Sequence, residues 1–261
     1  MPKHKTSVLL RKKRFRRWWR WSLSASFLIV ILYAASFWSA HESIQIKEIK
    51  ISGNEFISDE TIEQIFRESS DIKILGLFDR NNFLFLPKKI IAQKIRHQIS
   101  VKNVIIRIVE FGRAEIEVIE YEPWGVWCKE ERCYFVNKDG LAFIEHQNFT
   151  DLIILEGATN QEDLLGLSYT KTNTFNNFIL IQKLLHKLEI EFYKISTEDF
   201  ETFKIWTTEG PQLLVSNKSN PTEIINNLKI LLEQESIHKI QFKNIEYIDL
   251  RFKDKAYYKI K

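Results

Sequence analysis

The sequence predicts an α+β protein held to a membrane by one amino-terminal helix. Three observations lead there: an uncharged apolar run near the amino end, a β-α-α-β-β pattern directly after it, and a long strand-rich stretch that closes the chain on two strand-like segments. The apolar share of 44% and aromatic share of 13% agree with a chain that buries a core.

The run Trp21 to Ala40, WSLSASFLIVILYAASFWSA, contains no Asp, Glu, Lys, Arg or His. At about 1.5 Å per helical residue it reaches roughly the 30 Å of a bilayer core, and a helix satisfies its own backbone there. Trp18, Trp19 and Trp21 flank one end and Trp38 the other, as interfacial anchors do. A cleaved signal peptide fits less well: the run is long, and a cut after Ala40 would put Trp38 where a small residue belongs. Residues 1–20 carry nine basic side chains and no acid, so the positive-inside rule places them in the cytoplasm as a tail and residues 41–261 on the far side. The chain's formal charge of +4 is therefore a matter of topology. Without the tail the chain is net acidic, which speaks against a nucleic-acid partner.

Beyond the anchor, Ile46, Ile49 and Ile51 read as a strand closed by Gly53-Asn54. Ser58 then precedes Asp59 and Glu60, an N-cap with acids matched to the positive helix end, and Ile62, Ile65 and Phe66 give that helix its stripe. Pro87 is expected as the first residue of a second helix with Ile91, Ile95 and Ile99 on one face. Two alternating strands follow, Val104 to Val109 and Glu115 to Val118, joined near Gly112. Residues 41–122 thus read as one small domain and 123–261 as a second, β-rich one. In the second, Phe175 to Leu188 and Pro221 (after Asn220) to Leu232 are helical patterns among short strands. Gly157 to Thr174 fits no element.

Several stretches together resemble a known family. IKEIKISGN, SDETIEQIF, NNFLFLPKKIIAQKI, VKNVIIRIV and AEIEVIEYEPWGVW are similar to a POTRA domain, in the form found in the bacterial cell-division FtsQ/DivIB family. Glu120-Tyr121-Glu122-Pro123 and FVNKDGLAF (135–143) carry the likeness, with Asn137 standing where an aspartate is common. The resemblance implies a bitopic divisome scaffold at the septum of the cytoplasmic membrane. It also implies FtsB/DivIC-like and FtsL-like partners, the former captured by strand addition at the carboxyl-terminal edge. Carried over by position, the contact residues are Arg251, Phe252, Lys255, Ala256, Tyr257, Tyr258 and Lys259. Alternation puts Ile248, Leu250 and Phe252 on one face of the penultimate strand. Tyr258→Asp is then expected to weaken partner capture while sparing the anchor.

Catalysis finds little support. The histidines are scattered without metal-helix spacing, there is no phosphate-binding glycine loop, and Gly166-Leu-Ser168-Tyr-Thr170 departs from a nucleophile elbow at its last position. No cofactor, metal or small-molecule substrate is implied, and the chain is read as a non-enzyme. Two other readings are a POTRA-bearing module handling polypeptides in secretion or outer-membrane assembly, which lacks the barrel expected of it, and a membrane-anchored envelope hydrolase. Cys128 and Cys133 flank KEER; a hairpin with a four-residue loop would let them bridge, and unlinked thiols are the alternative.

Overall fold

Helix α1 spans Lys5–Ser39, longer than the apolar run because the basic flank is helical too. Its segment Trp21–Ser39 is long and apolar enough to cross a membrane. The computed structural model describes the chain except residues 1–4, 40, 75, 77, 111, 146–150, 158, 160, 235–239 and 254, and except the side chains of 5–17 and 20. The basic side chains of the tail, other than the backbone they share with α1, therefore lie outside the described residues. So do His146, His238 and Asp254.

The chain divides into two units, residues 1–120 and 121–261. After α1 the first unit runs β1 (Glu48–Ser52), α2 (Asp59–Ser70), α3 (Lys88–Arg96), β2 (Val101–Glu110) and β3 (Arg113–Glu120). Its sheet has the order β1-β3-β2, with β1 parallel and β2 antiparallel to β3. Ser58 caps α2 by accepting from the Thr61 N–H at 3.3 Å. Pro87 lies one residue earlier than expected: it precedes α3, and its carbonyl accepts the Ile91 N–H. The strongly amphipathic α2 and α3 bury Ile62, Phe66, Ile91 and Ile95 against Ile116 and Val118. Each fully buried side chain of this size contributes about 1.5–3 kcal/mol.

Gly53 has a structural reason. Its φ is +80°, and a Cβ there would stand 2.3 Å from the Val118 carbonyl oxygen, so β1 and β3 can approach only because it has none. Glu120 is a second clamp. Its carboxylate accepts the N–H groups of Glu55 (2.6 Å), Phe56 (2.8 Å) and Ile57 (2.9 Å), fixing the turn that leads into α2.

The second unit runs β4 (Gly125–Lys129), β5 (Arg132–Val136), β6 (Ala142–Glu145), β7 (Ile153–Gly157), α4 (Thr172–His186), β8 (Phe192–Thr197), β9 (Thr202–Thr207), β10 (Gln212–Ser216), α5 (Pro221–Leu232), β11 (Ile245–Phe252) and β12 (Lys255–Ile260). One sheet holds all its strands in the order β12-β11-β10-β9-β8-β7-β4-β5-β6. In β9 and β10 every second side chain is buried, among them Phe203, Ile205 and Leu213, and β8 buries Phe192, Ile195 and Thr197 around a register shift. The apolar ones pack with Phe175 and Phe178 of α4 and Ile224 and Leu228 of α5 in one core.

Of the stretch 157–174, Gly157 closes β7, residues 172–174 open α4, and the described residues 159 and 161–171 form a loop between them. Its Leu164 and Tyr169 are buried, and the Tyr169 hydroxyl donates to the Glu156 carbonyl at 2.7 Å. Lys129 and Arg132 hold it by donating to the carbonyls of Thr159, Gln161 and Glu162. Burial pushes the Tyr169 phenol far above its ordinary range.

Candidate functional site: the β12 edge

β12 forms one end of the nine-stranded sheet, and among the described residues only β11 pairs with it. Which of its backbone groups are free follows from one bond. Lys261 donates its N–H to the Asn244 carbonyl at 3.0 Å, so it faces β11. Backbone direction alternates along a strand, so the N–H groups of Tyr257 and Lys259 also face β11. Those of Ala256, Tyr258 and Ile260, with their carbonyls, turn to the open side. Such a row has the backbone groups that pairing with a further extended segment would require.

The side chains of β12 alternate, and the departure from the expected alternation is confined to Phe252 of β11. Ala256 and Tyr258 pack on the main core, and Tyr258 stands opposite the buried Ile248. Tyr258→Asp would therefore also loosen the core, and it does not isolate the edge. The β11–β12 register shifts between Asp249 and Phe252. That irregularity breaks the alternation, so Phe252 leaves the face of Ile248 and Leu250. It is 49% exposed and stacks edge-to-face on Tyr257, itself 51% exposed, with centroids 5.4 Å apart. The aromatic pair gives the edge an apolar patch next to its free backbone.

The charged residues are largely occupied. Arg251 donates from Nε and Nη2 to the Asp249 carboxylate at 2.9 and 2.6 Å, and its backbone N–H adds a third bond. Burial alone would raise the Asp249 carboxyl; the bonds and charge of Arg251 outweigh it and hold the group below its ordinary value. The Arg251 guanidinium is raised, chiefly by that hydrogen bond. Lys259 Nζ lies 2.7 Å from Glu246 and is raised by it, while Lys255 makes no ion pair among the described residues. Asn227 of α5, which sequence reasoning passed over, donates to the Lys253 carbonyl at 2.8 Å and fastens the terminal hairpin's turn. A lone polar residue on a helix carries no sequence signal for such a role.

Compared with protein-family models and with curated proteins, the chain matches none.

Elsewhere, Cys128 and Cys133 stand opposite one another across β4 and β5 with their sulfurs bonded and Cα atoms 4.1 Å apart. The loop is tighter than the four residues expected: Lys129 and Arg132 belong to the strands, and only Glu130 and Glu131 turn the chain. Ser168 lies on the wall of a recess of about 670 Å³ with Trp127, Tyr169 and Asn217. No three His, Cys, Asp or Glu side chains gather as a metal site among the described residues.

Proposed function

We propose that this chain is a single-span scaffold of the FtsQ/DivIB type, in which α1 anchors the protein in the cytoplasmic membrane of a bacterium and β12 captures a strand of an FtsB/DivIC-like partner. Residues 1–20 are then cytoplasmic, the β-α-α-β-β unit is a POTRA domain meeting other division proteins, and the whole acts at the septum with FtsL-like proteins in the same assembly. Confinement to the membrane raises effective concentration, so each contact can be modest.

The observation that carries this reading is the open backbone row of Ala256, Tyr258 and Ile260 beside the exposed Phe252–Tyr257 pair. Further support comes from the anchor-length apolar helix and the order of elements after it. Asn137 also fits: its Oδ1 accepts the N–H groups of Asp139 and Leu141, a task an aspartate performs equally well.

Ile260→Pro tests the reading. Its N–H faces the open side, so proline removes an edge donor without removing a bond to β11. Co-purification of a small coiled-coil membrane partner of the FtsB/DivIC type should fall with Ile260→Pro and persist with Ile260→Ala. Equal capture by both variants would refute strand addition here, and an even spread of a fluorescent fusion around dividing cells would refute the septal role.

A further inference from the structure

The end of α1 is built into the first unit by hydrogen bonds. The Ser39 carbonyl accepts from Asn82 Nδ2 at 3.2 Å, and its hydroxyl accepts from the Asp79 N–H at 3.3 Å. Asn82 is wholly buried and also holds the next turn: its Oδ1 accepts the N–H groups of Leu84 (3.0 Å) and Phe85 (2.9 Å). One side chain therefore fixes where Leu84 and Phe85 sit relative to the last turn of α1.

That position is unusual for apolar side chains. Leu84 is 64% exposed and Phe85 40%. With Phe83 and Ile44 they border an apolar recess of about 210 Å³ whose other wall is Ala35, Trp38 and Ser39 of α1. Ala35 lies about 6 Å deeper along the helix than Ser39. The apolar segment Trp21–Ser39 has 19 residues. It spans about 28 Å, close to the hydrocarbon thickness, so Ser39 has little room to stand clear of the bilayer boundary.

We propose that the turn at residues 82–85, between α2 and α3, dips into the membrane leaflet at the carboxyl end of α1, with Leu84 and Phe85 among the lipids. This rests on α1 spanning a bilayer. Charge agrees with a phospholipid surface: Arg80, Lys88 and Lys89 have no acidic partner among the described residues, and Asp79 is answered by Lys73 at 3.5 Å. Apolar tips rimmed by Lys and Arg are the pattern of interfacial membrane contact. The seat would add a second attachment to α1 and hold the first unit against the bilayer instead of letting it swing on its anchor.

The full chain in vesicles of phosphatidylethanolamine and phosphatidylglycerol tests this. With Cys128 and Cys133 bridged, a polarity-sensitive dye can be placed on Leu84→Cys and, separately, on Phe85→Cys. Phe37→Cys on α1 serves as the spanning control. Lys102→Cys, on β2 beside the Glu120 end of β3, serves as the water control. Spin-labelled lipids should remove most of the emission at 37, 84 and 85, with a blue shift, and leave 102 bright. Quenching at 37 with neither 84 nor 85 quenched would overturn the membrane seat and point to a protein partner for this tip. An unquenched 37 would instead overturn the spanning of α1, and the seat with it.

Discussion

Glu120→Ala tests whether the first unit depends on a carboxylate placed at the end of β3. In the structure that carboxylate accepts three consecutive backbone N–H groups, from Glu55, Phe56 and Ile57, with the Ser100 hydroxyl at 3.4 Å. A hydrogen bond to a charged group contributes about 1.5–3 kcal/mol. The Glu55 N–H is exposed and would turn to water at little cost; those of Phe56 and Ile57 are part-buried and would be met less well. The expected loss is about 2–4 kcal/mol. A domain of this size has a total stability of roughly 4–12 kcal/mol, so the loss is a large share. Glu120→Gln keeps one acceptor and should lose about half as much. Amide exchange on the full chain in lipid nanodiscs reads the effect directly. Protection should fall in α2 and at Phe56 and Ile57, in the order Ala worse than Gln. Unchanged protection of α2 in Glu120→Ala would refute the clamp.

Two further outcomes follow from the same geometry. Because the folded Asp249 carboxyl lies below its ordinary value, its pairing with Arg251 stabilises the β11–β12 hairpin fully above about pH 4 and is lost as pH falls through the lower folded value. Protection at β12, taken relative to the intrinsic exchange rate at each pH, should therefore fall on acidification below about pH 4, and Asp249→Asn should flatten that fall. Gly53→Ala forces a Cβ against the Val118 carbonyl at a positive φ, so it should cost more than about 1 kcal/mol in the thermal unfolding of the first unit.

Local features of the fold were legible in the sequence because their causes are local. Ser58 with its two following acids marked the start of α2, Asn220-Pro221 marked that of α5, and an uncharged run marked the anchor. What escaped was set by distant partners. The loop between β7 and α4 is shaped in its described residues by Lys129 and Arg132, some thirty positions away, and by burial of Tyr169. The sheet order joins β4 to β7 and β10 to β11 in parallel, pairings that no single-stretch pattern encodes. At the candidate site, alternation put Phe252 with Leu250, and a register shift of the strand pair moved it to Tyr257. The role of Asn82, fixed by α1 on one side and the Leu84 turn on the other, was equally invisible.

On the proposed function, the open side of β12 accepts another strand. Residue-resolved amide exchange, with and without a bound FtsB/DivIC-type partner, tests it most directly. Ala256, Tyr258 and Ile260 should gain protection on binding, while Tyr257 and Lys259, already bonded to β11, should change little. Protection confined to other surfaces, or gained equally by all five amides, would contradict it.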